Sequence, residues 1–472
     1  MIEAMKSHKR PAAIWIAVIF FFLSACALLH ACGGGSIVVS AGKPGNPVTG
    51  EPGETNIGTP HPSAIRIPRV PSLESYAYVL ETSYPLKIYR YDLEAEAPYP
   101  SVSYGLYGKI QGIPDELLIV DENYAFITTS GGIADAGEGI HLFDPTPSTP
   151  EAFVLEETVR VLPVTFDSPQ LDSAENPVAW LQPRYTAGVA ESNGKIYVCT
   201  SNFSKTGSNP VCPPGTILIY QWDPESNPPN ITPSDPPFLV TTRYNPTEVT
   251  ALGERFVLVT NTGVIAIGED ALAEPLTEGS IDVIDTEVDC IVATYPLGMG
   301  APSYKPIAIT RDRSRALLGS VAYNTVYELD LTVLDDHLGF CPDDLGDVPQ
   351  LDDAVLAGFD NPILVGSSQR KVKDFIVQVV LNWDDTRAYA TGSDSGTLSI
   401  LEVETREGVP SPKTAGQVLS LTPPLGPRGT LPKEAMPGPL AVRPGNPETY
   451  SGPDLFVLIG WETGKMLSLQ TY

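Results

Sequence analysis

Residues 375–405 read FIVQVVLNWDDTRAYATGSDSGTLSILEVET and predict three strands joined by two tight turns. Apolar residues alternate over 377–381, which is the period-two pattern of a strand with one buried face. The predicted strands are 377–381, 387–390 and 397–403, and the turns are 382–385 and 392–396. Because the turns are short and rich in Gly, Asp and Ser, the stretch is typical of an antiparallel meander.

The same unit recurs about seven times along the chain. Its mark is a short strand with an aromatic or aliphatic pair, followed by a turn and a second strand that usually ends in an acidic residue. The marker strands are 76–79, 124–127, 195–198, 255–258, 315–318, 387–390 and 455–458. The units are spaced more widely than a bare repeat needs, so the extra residues must lie in loops.

Small antiparallel sheets repeated in this way predict an all-β fold, the β-propeller, in which each blade buries its faces against its neighbours. We expect seven blades of four antiparallel strands over residues 63–472, although six or eight blades also fit the pattern. The composition agrees, because 47 Pro and 41 Gly favour turns and strands over long helices.

The strand patterns EGSIDVIDT at 278–286 and NTVYELD at 324–330 resemble the YVTN or lactonase-like family of seven-bladed propellers. The resemblance covers most of residues 65–472. It implies the fold, and it does not choose among the many functions that such propellers have.

Residues 1–31 are typical of a bacterial lipoprotein signal peptide, with a basic start and the apolar run AAIWIAVIFFFL at 12–23. Cys32 is the predicted lipidated residue, and Cys26 is the alternative. Residues 32–62 are rich in Gly and Pro and are interpreted as a flexible tether. Gly33 is compatible with sorting to the outer membrane, facing either the periplasm or the cell surface. An uncleaved signal anchor is a further alternative.

The formal net charge of −28 makes nucleic acid an unfavourable partner. We expect a monomer attached to the membrane only through its lipid.

Two predictions concern how the ring closes and where it binds. Residues 64–70 are predicted to supply the outer strand of the last blade. The long loops are predicted to lie mainly on one face, which would then be the binding face. These loops are 202–214, 227–245, 261–278, 334–373 and part of 407–439.

Four cysteines beyond the lipobox predict two disulfides, Cys199 with Cys212 and Cys290 with Cys341. The acidic stretch 335–360 contains no Lys or Arg, so calcium could bridge its carboxylates, with Asp343, Asp344 and Asp347 as candidate ligands. No D-x-D-x-D-G run occurs there, and a solvated acidic loop is the alternative. We predict no cofactor.

No catalytic residue is predicted. The turn Gly392-Ser393-Asp394-Ser395-Gly396 lies inside the repeat and lacks the spacing of a hydrolase elbow. The acids that recur at strand ends are interpreted as turn-forming residues. We therefore expect a lipid-anchored binding or scaffold module for an envelope protein or a glycan. The alternative is a divalent-cation-dependent, lactonase-like hydrolase in the central channel.

Overall fold

The structure of the chain is a computed structural model. It describes residues 49–56, 62–82, 86–94, 100–106, 110, 112–130, 139–147, 158–160, 164–171, 177–181, 185–202, 204–206, 209–211, 214–226, 229–267, 273–366, 374–406, 409–412, 416–422, 436–446, 449–450, 452–460 and 464–471. The predicted signal peptide and both candidate lipidation residues, Cys26 and Cys32, lie outside the described residues.

The described elements are nearly all β-strands, and they form seven antiparallel blades. The chain begins with β1 (Thr49–Asn56), which belongs to the last blade. Blades 1 and 2 are β2 (Pro62–Arg66), β3 (Tyr76–Glu81), β4 (Lys87–Asp92) and β5 (Pro100–Gly105), then β6 (Ile113–Ile119), β7 (Ala125–Ser130), β8 (Gly139–Phe143) and β9 (Thr158–Arg160). A separate hairpin, β10 (Val164–Leu171) and β11 (Pro177–Leu181), follows.

Blades 3 and 4 each carry an extra hairpin between their second and third strands. Blade 3 is β12 (Thr186–Ser192), β13 (Lys195–Thr200), β16 (Pro214–Asp223) and β17 (Asn230–Tyr244), with the hairpin β14 (Ser204–Thr206) and β15 (Asn209–Val211). Blade 4 is β18 (Pro246–Leu252), β19 (Phe256–Asn261), β22 (Gly279–Asp285) and β23 (Cys290–Gly298), with the hairpin β20 (Ile265–Ile267) and β21 (Ala273–Pro275).

Blades 5 and 6 have a short fifth strand, and blade 7 is completed by β1. Blade 5 is β24 (Ala308–Ile309), β25 (Arg315–Gly319), β26 (Thr325–Asp330), β27 (Val355–Ala357) and β28 (Ile363–Leu364), with 3₁₀ turns at Thr332–His337, Leu345–Asp347 and Asp352–Ala354. Blade 6 is β29 (Ile376–Leu381), β30 (Arg387–Gly392), β31 (Thr397–Arg406), β32 (Val409–Pro412) and β33 (Gln417–Ser420). Blade 7 is β34 (Pro437–Val442), β35 (Leu455–Ile459), β36 (Lys465–Gln470) and β1.

The core of the protein consists of apolar clusters between successive blades. Alternation in the second strands places large side chains such as Tyr78, Tyr197 and Tyr389 in full burial. One cluster joins Leu258 and Ile281 of blade 4 to Tyr327 of blade 5. Similar clusters lie between each other pair of successive blades, and one packs Leu458 of blade 7 against Val79 of blade 1. Seven blades therefore close into one ring, as the repeat predicted.

The aspartates that recur at the ends of the third strands hold the following turns. In each case a carboxylate oxygen accepts a hydrogen bond, 2.7–3.1 Å long, from the backbone N–H two residues later. These residues are Asp92, Asp144, Asp223, Asp285 and Asp330. The predicted structural role is confirmed for these five positions.

The predicted closure by residues 64–70 is wrong. β1 pairs antiparallel with β36, from Thr49 opposite Gln470 to Asn56 opposite Lys465, and so forms the outer strand of blade 7. Residues 62–66 instead form β2, the inner strand of blade 1, which pairs with β3. The ring is therefore closed by a strand from within the stretch that the sequence indicated as a tether.

The inner strands of neighbouring blades contact each other around the central channel. We call the face where these strands begin the start face, and the face where they end the end face. Connections from second to third strands lie on the start face, and connections from first to second or third to fourth strands lie on the end face. The hairpins β14–β15 and β20–β21 therefore lie on the start face.

The long loops are divided between the two faces, which corrects the prediction of a single elaborated face. Residues 331–354 join the third strand of blade 5 to its fourth and so belong to the end face. Residues 230–244 are the long strand β17 rather than a loop.

The structure contains the predicted disulfide between Cys290 and Cys341, with Cα atoms 5.8 Å apart. It attaches the blade 5 insertion to β23, whose Thr294 N–H also donates to the Pro349 carbonyl at 2.9 Å. The insertion thereby covers part of the outer edge of blade 4.

Cys199 has a free, fully buried thiol. This differs from the predicted disulfide bond to Cys212, a residue that lies outside the described residues. The side chain of Cys199 faces the core between blades 3 and 4, where it clusters with Ile217 and Val257. Burial raises the pKa of this thiol well above its ordinary value.

Candidate binding site at the channel mouth

Six inner strands have a register irregularity close to their beginning. In blades 2, 4 and 6 a long polar residue lies at or next to it: Glu116, Glu248 and Gln378. These side chains are almost completely buried. A bulge leaves backbone groups unpaired, and Glu116 and Glu248 accept hydrogen bonds from the next backbone N–H, at 2.8 and 2.9 Å.

A buried charge network crosses the channel. Lys305, just before the inner strand of blade 5, donates to Glu116 Oε2 of blade 2 at 3.0 Å. Arg66, at the end of β2, contacts the other oxygen of the same carboxylate. Blades 2 and 5 lie three places apart in the ring, so this contact can form only across its axis. Because removing one member of a buried pair leaves an uncompensated charge, the network holds opposite sides of the ring together.

The carboxylates in this network differ in their protonation. Burial acts to raise the pKa of Glu116, but Arg66 and Lys305 outweigh it, so the pKa falls below its ordinary value. Burial and the charge of Glu116 raise the pKa of Glu248 well above its ordinary value. Glu248 Oε2 has no hydrogen-bond partner among the described residues. Burial also raises the pKa of Asp115 to about 6. The surroundings therefore favour the ionised form of Glu116 and the protonated form of Glu248.

A cavity of about 490 Å³ opens on the end face, beyond this network. Blades 1, 5, 6 and 7 line it with the ends of their inner strands and the turns that follow. Arg66 joins the two features, because it lines the cavity and contacts Glu116. The volume is within the range typical of sites for small molecules.

Charged and aromatic side chains surround the mouth of this cavity. Arg69 and Arg311 are exposed, and the Arg311 guanidinium lies 5.8 Å from the ring centroid of Trp383. The Arg311 backbone N–H donates to Asp385 Oδ2 at 2.7 Å. Burial raises the pKa of Asp385, and the hydrogen bond and the charges of Arg311 and Arg69 partly oppose that rise. Three blades therefore contribute to one polar rim.

The wall and floor add polar groups from blades 6 and 7. Gln378 is 5% exposed; its Oε1 accepts from Leu440 N at 3.1 Å, and its Nε2 donates to no described residue. Arg443 is buried, pairs with Glu94 and lies 3.9 Å over the ring of Tyr450. The lining residues include no Ser, Thr, Cys, His or Lys. The described lining thus offers hydrogen-bonding groups and an aromatic surface, and its acids are Glu74 and Asp385.

The candidate metal ligands do not converge. Asp343, Asp344 and Asp347 are exposed on the blade 5 insertion, where Asp344 accepts from Gly346 N at 3.1 Å. No group of three or more His, Cys, Asp or Glu side chains in the described part of the chain is placed to hold a metal ion. The calcium site stays a prediction that this geometry does not support.

The Gly392–Gly396 turn forms structural hydrogen bonds. Ser395 Oγ lies 2.6 Å from Thr397 Oγ1, and the Asp374 carboxylate accepts from three backbone N–H groups, those of Phe375, Asp394 and Ser395. Among the described helices, none is long and apolar enough to cross a bilayer.

Sequence reasoning did not identify the cavity or the charge network, because their residues come from blades far apart in the chain. One local signal exists. Glu116, Glu248 and Gln378 each come directly before an aliphatic residue of an inner strand. The positions that these three polar residues occupy would ordinarily carry apolar residues.

These features define the chain as a seven-bladed β-propeller with a candidate binding cavity at one end of its channel. No model of a known protein family matches the chain, and no curated protein matches it. Among solved structures, it is similar to the β-propeller domain of Cps50 (Swd1) from Myceliophteria thermophila, with a TM-score of 0.45, 11% identity and coverage of 89% of this chain and 99% of the other.

Hydrazine synthase from Kuenenia stuttgartiensis is also similar, with a TM-score of 0.48, 10% identity and coverage of 86% and 94%. Hsv2 from Kluyveromyces lactis is similar with a TM-score of 0.40, 10% identity and coverage of 82% of this chain and 87% of the other. At these identities the similarity is one of fold alone and says nothing about the function of this chain.

Proposed function

We propose that this protein is an extracytoplasmic binding module that holds a small ligand in the cavity at the end-face mouth of its channel. The observation that carries the proposal is the lining: four blades contribute guanidinium, carboxylate, amide and indole groups around about 490 Å³. Polar groups placed among apolar side chains in a concave site are typical of ligand sites. The described lining contains no Ser, Thr, Cys, His or Lys, which favours binding over covalent chemistry by one of these residues.

The proposed anchor is the lipid on Cys32, with Cys26 as the alternative, and the proposed location is the outer membrane. Strand β1 begins at Thr49 beside Gln470, at the end of the third strand of blade 7, and hence on the end face. Sixteen residues, 33–48, separate Cys32 from Thr49. They span at most about 58 Å when extended. The anchor would therefore attach the protein by the face that carries the cavity.

The proposal of a scaffold for an envelope protein is supported by the same arrangement, because a rigid ring leaves the start face free to present the β14–β15 and β20–β21 hairpins. The resemblance to YVTN or lactonase-like propellers is compatible with this function. The alternative, a cation-dependent hydrolase in the channel, gains no support from geometry, since Glu116 contacts Arg66 and Lys305 instead.

Trp383 provides a test of the binding function. Low-mass fractions of a cell-envelope extract are added to the purified protein while tryptophan fluorescence and the unfolding temperature are recorded. We expect at least one fraction to change the fluorescence of the wild type and to raise its unfolding temperature, and to do neither in Trp383→Phe.

The proposal is wrong if no fraction acts, or if the variant responds as the wild type does. A parallel assay of lactone hydrolysis, with and without chelator, distinguishes the hydrolase alternative.

A further inference from the structure

We infer that the cavity binds a small ring-bearing monocarboxylate, with the carboxylate held by Arg69 and Arg311 and the ring placed against Trp383. This inference rests on the proposed binding function and adds the chemical class of the ligand. Two sources share that chemistry, an aromatic acid and a sugar acid.

The first argument is the surplus of hydrogen-bond donors. The guanidinium groups of Arg69 and Arg311 form no ion pair with any described residue, and each carries five N–H donors. Gln378 adds an amide N–H₂ on the buried wall. The cavity offers fewer free hydrogen-bond acceptors than donors, because one oxygen of Asp385 already accepts from the Arg311 backbone N–H. A ligand that supplies acceptor oxygens satisfies this set.

The second argument is the balance of charge, which favours one negative charge over two. The lining contains four arginines and two acids, Glu74 and Asp385, a difference of two positive charges. Arg66 and Arg443 are already paired with Glu116 and Glu94, which do not line the cavity. The mouth is thus nearly neutral in a protein of net charge −28. A carboxylate fits this balance, whereas a phosphate dianion would meet repulsion from Glu74 and Asp385.

The third argument is the shape of the mouth. Trp383 is half-buried at the mouth, with the Arg311 guanidinium over its ring, and the apolar residues Ile309 and Val380 line the same cavity. A flat ring can pack against the indole, and a guanidinium matches a carboxylate in two parallel hydrogen bonds. The site therefore recognises a ring and an acid together.

The test is calorimetric titration with two matched pairs of compounds: benzoate with benzamide, and glucuronate with glucose. We expect at least one carboxylate to bind, and its neutral counterpart to bind about tenfold more weakly or worse. The benzoate and glucuronate arms tell the two sources apart. Raising the salt concentration should weaken binding only modestly, because few net charges are involved.

The variants are Arg69→Gln/Arg311→Gln and, as a control, Arg313→Gln. Arg313 is exposed in the same turn as Arg311 but does not line the cavity. We expect the double variant to lose about tenfold or more in affinity and the control to stay within about twofold of the wild type.

The inference is overturned if a neutral compound binds as tightly as its carboxylate, if the double variant binds as well as the wild type, or if neither carboxylate binds. If neither carboxylate binds but an envelope fraction still changes Trp383 fluorescence, only the ligand class is wrong. If no fraction acts either, the proposed function fails with it.

Discussion

Replacing Glu248 by Gln should remove a pH dependence that the wild type carries. Glu248 is 1% exposed, and burial and the charge of Glu116 raise its pKa well above its ordinary value in the folded protein. In the unfolded chain a glutamate titrates near about pH 4.3. As the pH rises above that value, the unfolded state releases a proton that the folded state retains, so the free energy of unfolding falls. The slope is about 1.4 kcal/mol per pH unit while the folded carboxyl stays protonated.

Urea unfolding at pH 5 and pH 6 measures this effect. Glutamine does not titrate, so the stability of Glu248→Gln relative to the wild type should increase by about 1.4 kcal/mol between the two pH values. Asp115 and Glu116 titrate in both proteins, and their effects largely cancel in the difference. Equal pH dependence of the two proteins would refute the reasoning, because Glu248 would then be ionised in the fold.

The same substitution at Glu116 is a matched control, because Glu116 lies at the equivalent place in blade 2. There the carboxylate is ionised and faces Lys305 at 3.0 Å. Glu116→Gln should destabilise the protein by about 3–5 kcal/mol at pH 7, since Lys305 loses its counter-ion in a buried site. If the two substitutions change the free energy of unfolding by the same amount, the carboxyl groups of Glu116 and Glu248 do not differ in protonation as described.

One deletion and two substitutions, the second with a control, test the fold. Deleting residues 49–56 should lower the unfolding temperature by about 5 °C or more in calorimetry, because β36 loses its partner; an unchanged temperature contradicts the observed closure. Cys341→Ser should reduce the free energy of unfolding by up to about 4 kcal/mol in non-reducing urea, and a reductant should abolish the difference. Gly188→Ala should lower the free energy of unfolding by about 3 kcal/mol, since its Cβ would lie 2.4 Å from Glu248 Cα. The control Gly194→Ala, where the added Cβ meets open space, should lower it by only about 1 kcal/mol in the same denaturation assay. Similar losses for the two variants would contradict the close approach of Gly188 to Glu248.

The blade architecture could be predicted because its signals are local. Alternation marks the strands, and aspartates such as Asp144 and Asp285 act on a backbone N–H only two residues away. These patterns repeat along the chain, so their number gives the number of blades.

The closure could not be predicted because β1 has no such pattern. Its sequence, TGEPGETN, lacks alternating apolar residues, and it joins blade 7 through backbone pairing at an outer edge. Residues 64–70 have the apolar alternation of a strand, but that alternation suits the inner position that β2 takes.

The candidate site escaped prediction because it exists only in the closed ring. Arg66, Glu116 and Lys305 meet across the axis from blades 1, 2 and 5. Arg69, Arg311 and Trp383 come together at the mouth from blades 1, 5 and 6. The local signals in a repeat describe each blade separately, whereas the cavity depends on distances between blades.

Hydrogen exchange in the presence of an active envelope fraction tests the location of the binding site most directly. We expect slower exchange in the end-face turns of blades 1, 5, 6 and 7, at residues 67–75, 310–314, 382–386 and 443–446, and no change in the corresponding turns of blades 2–4. Protection confined to the start-face hairpins β14–β15 and β20–β21 would contradict the account.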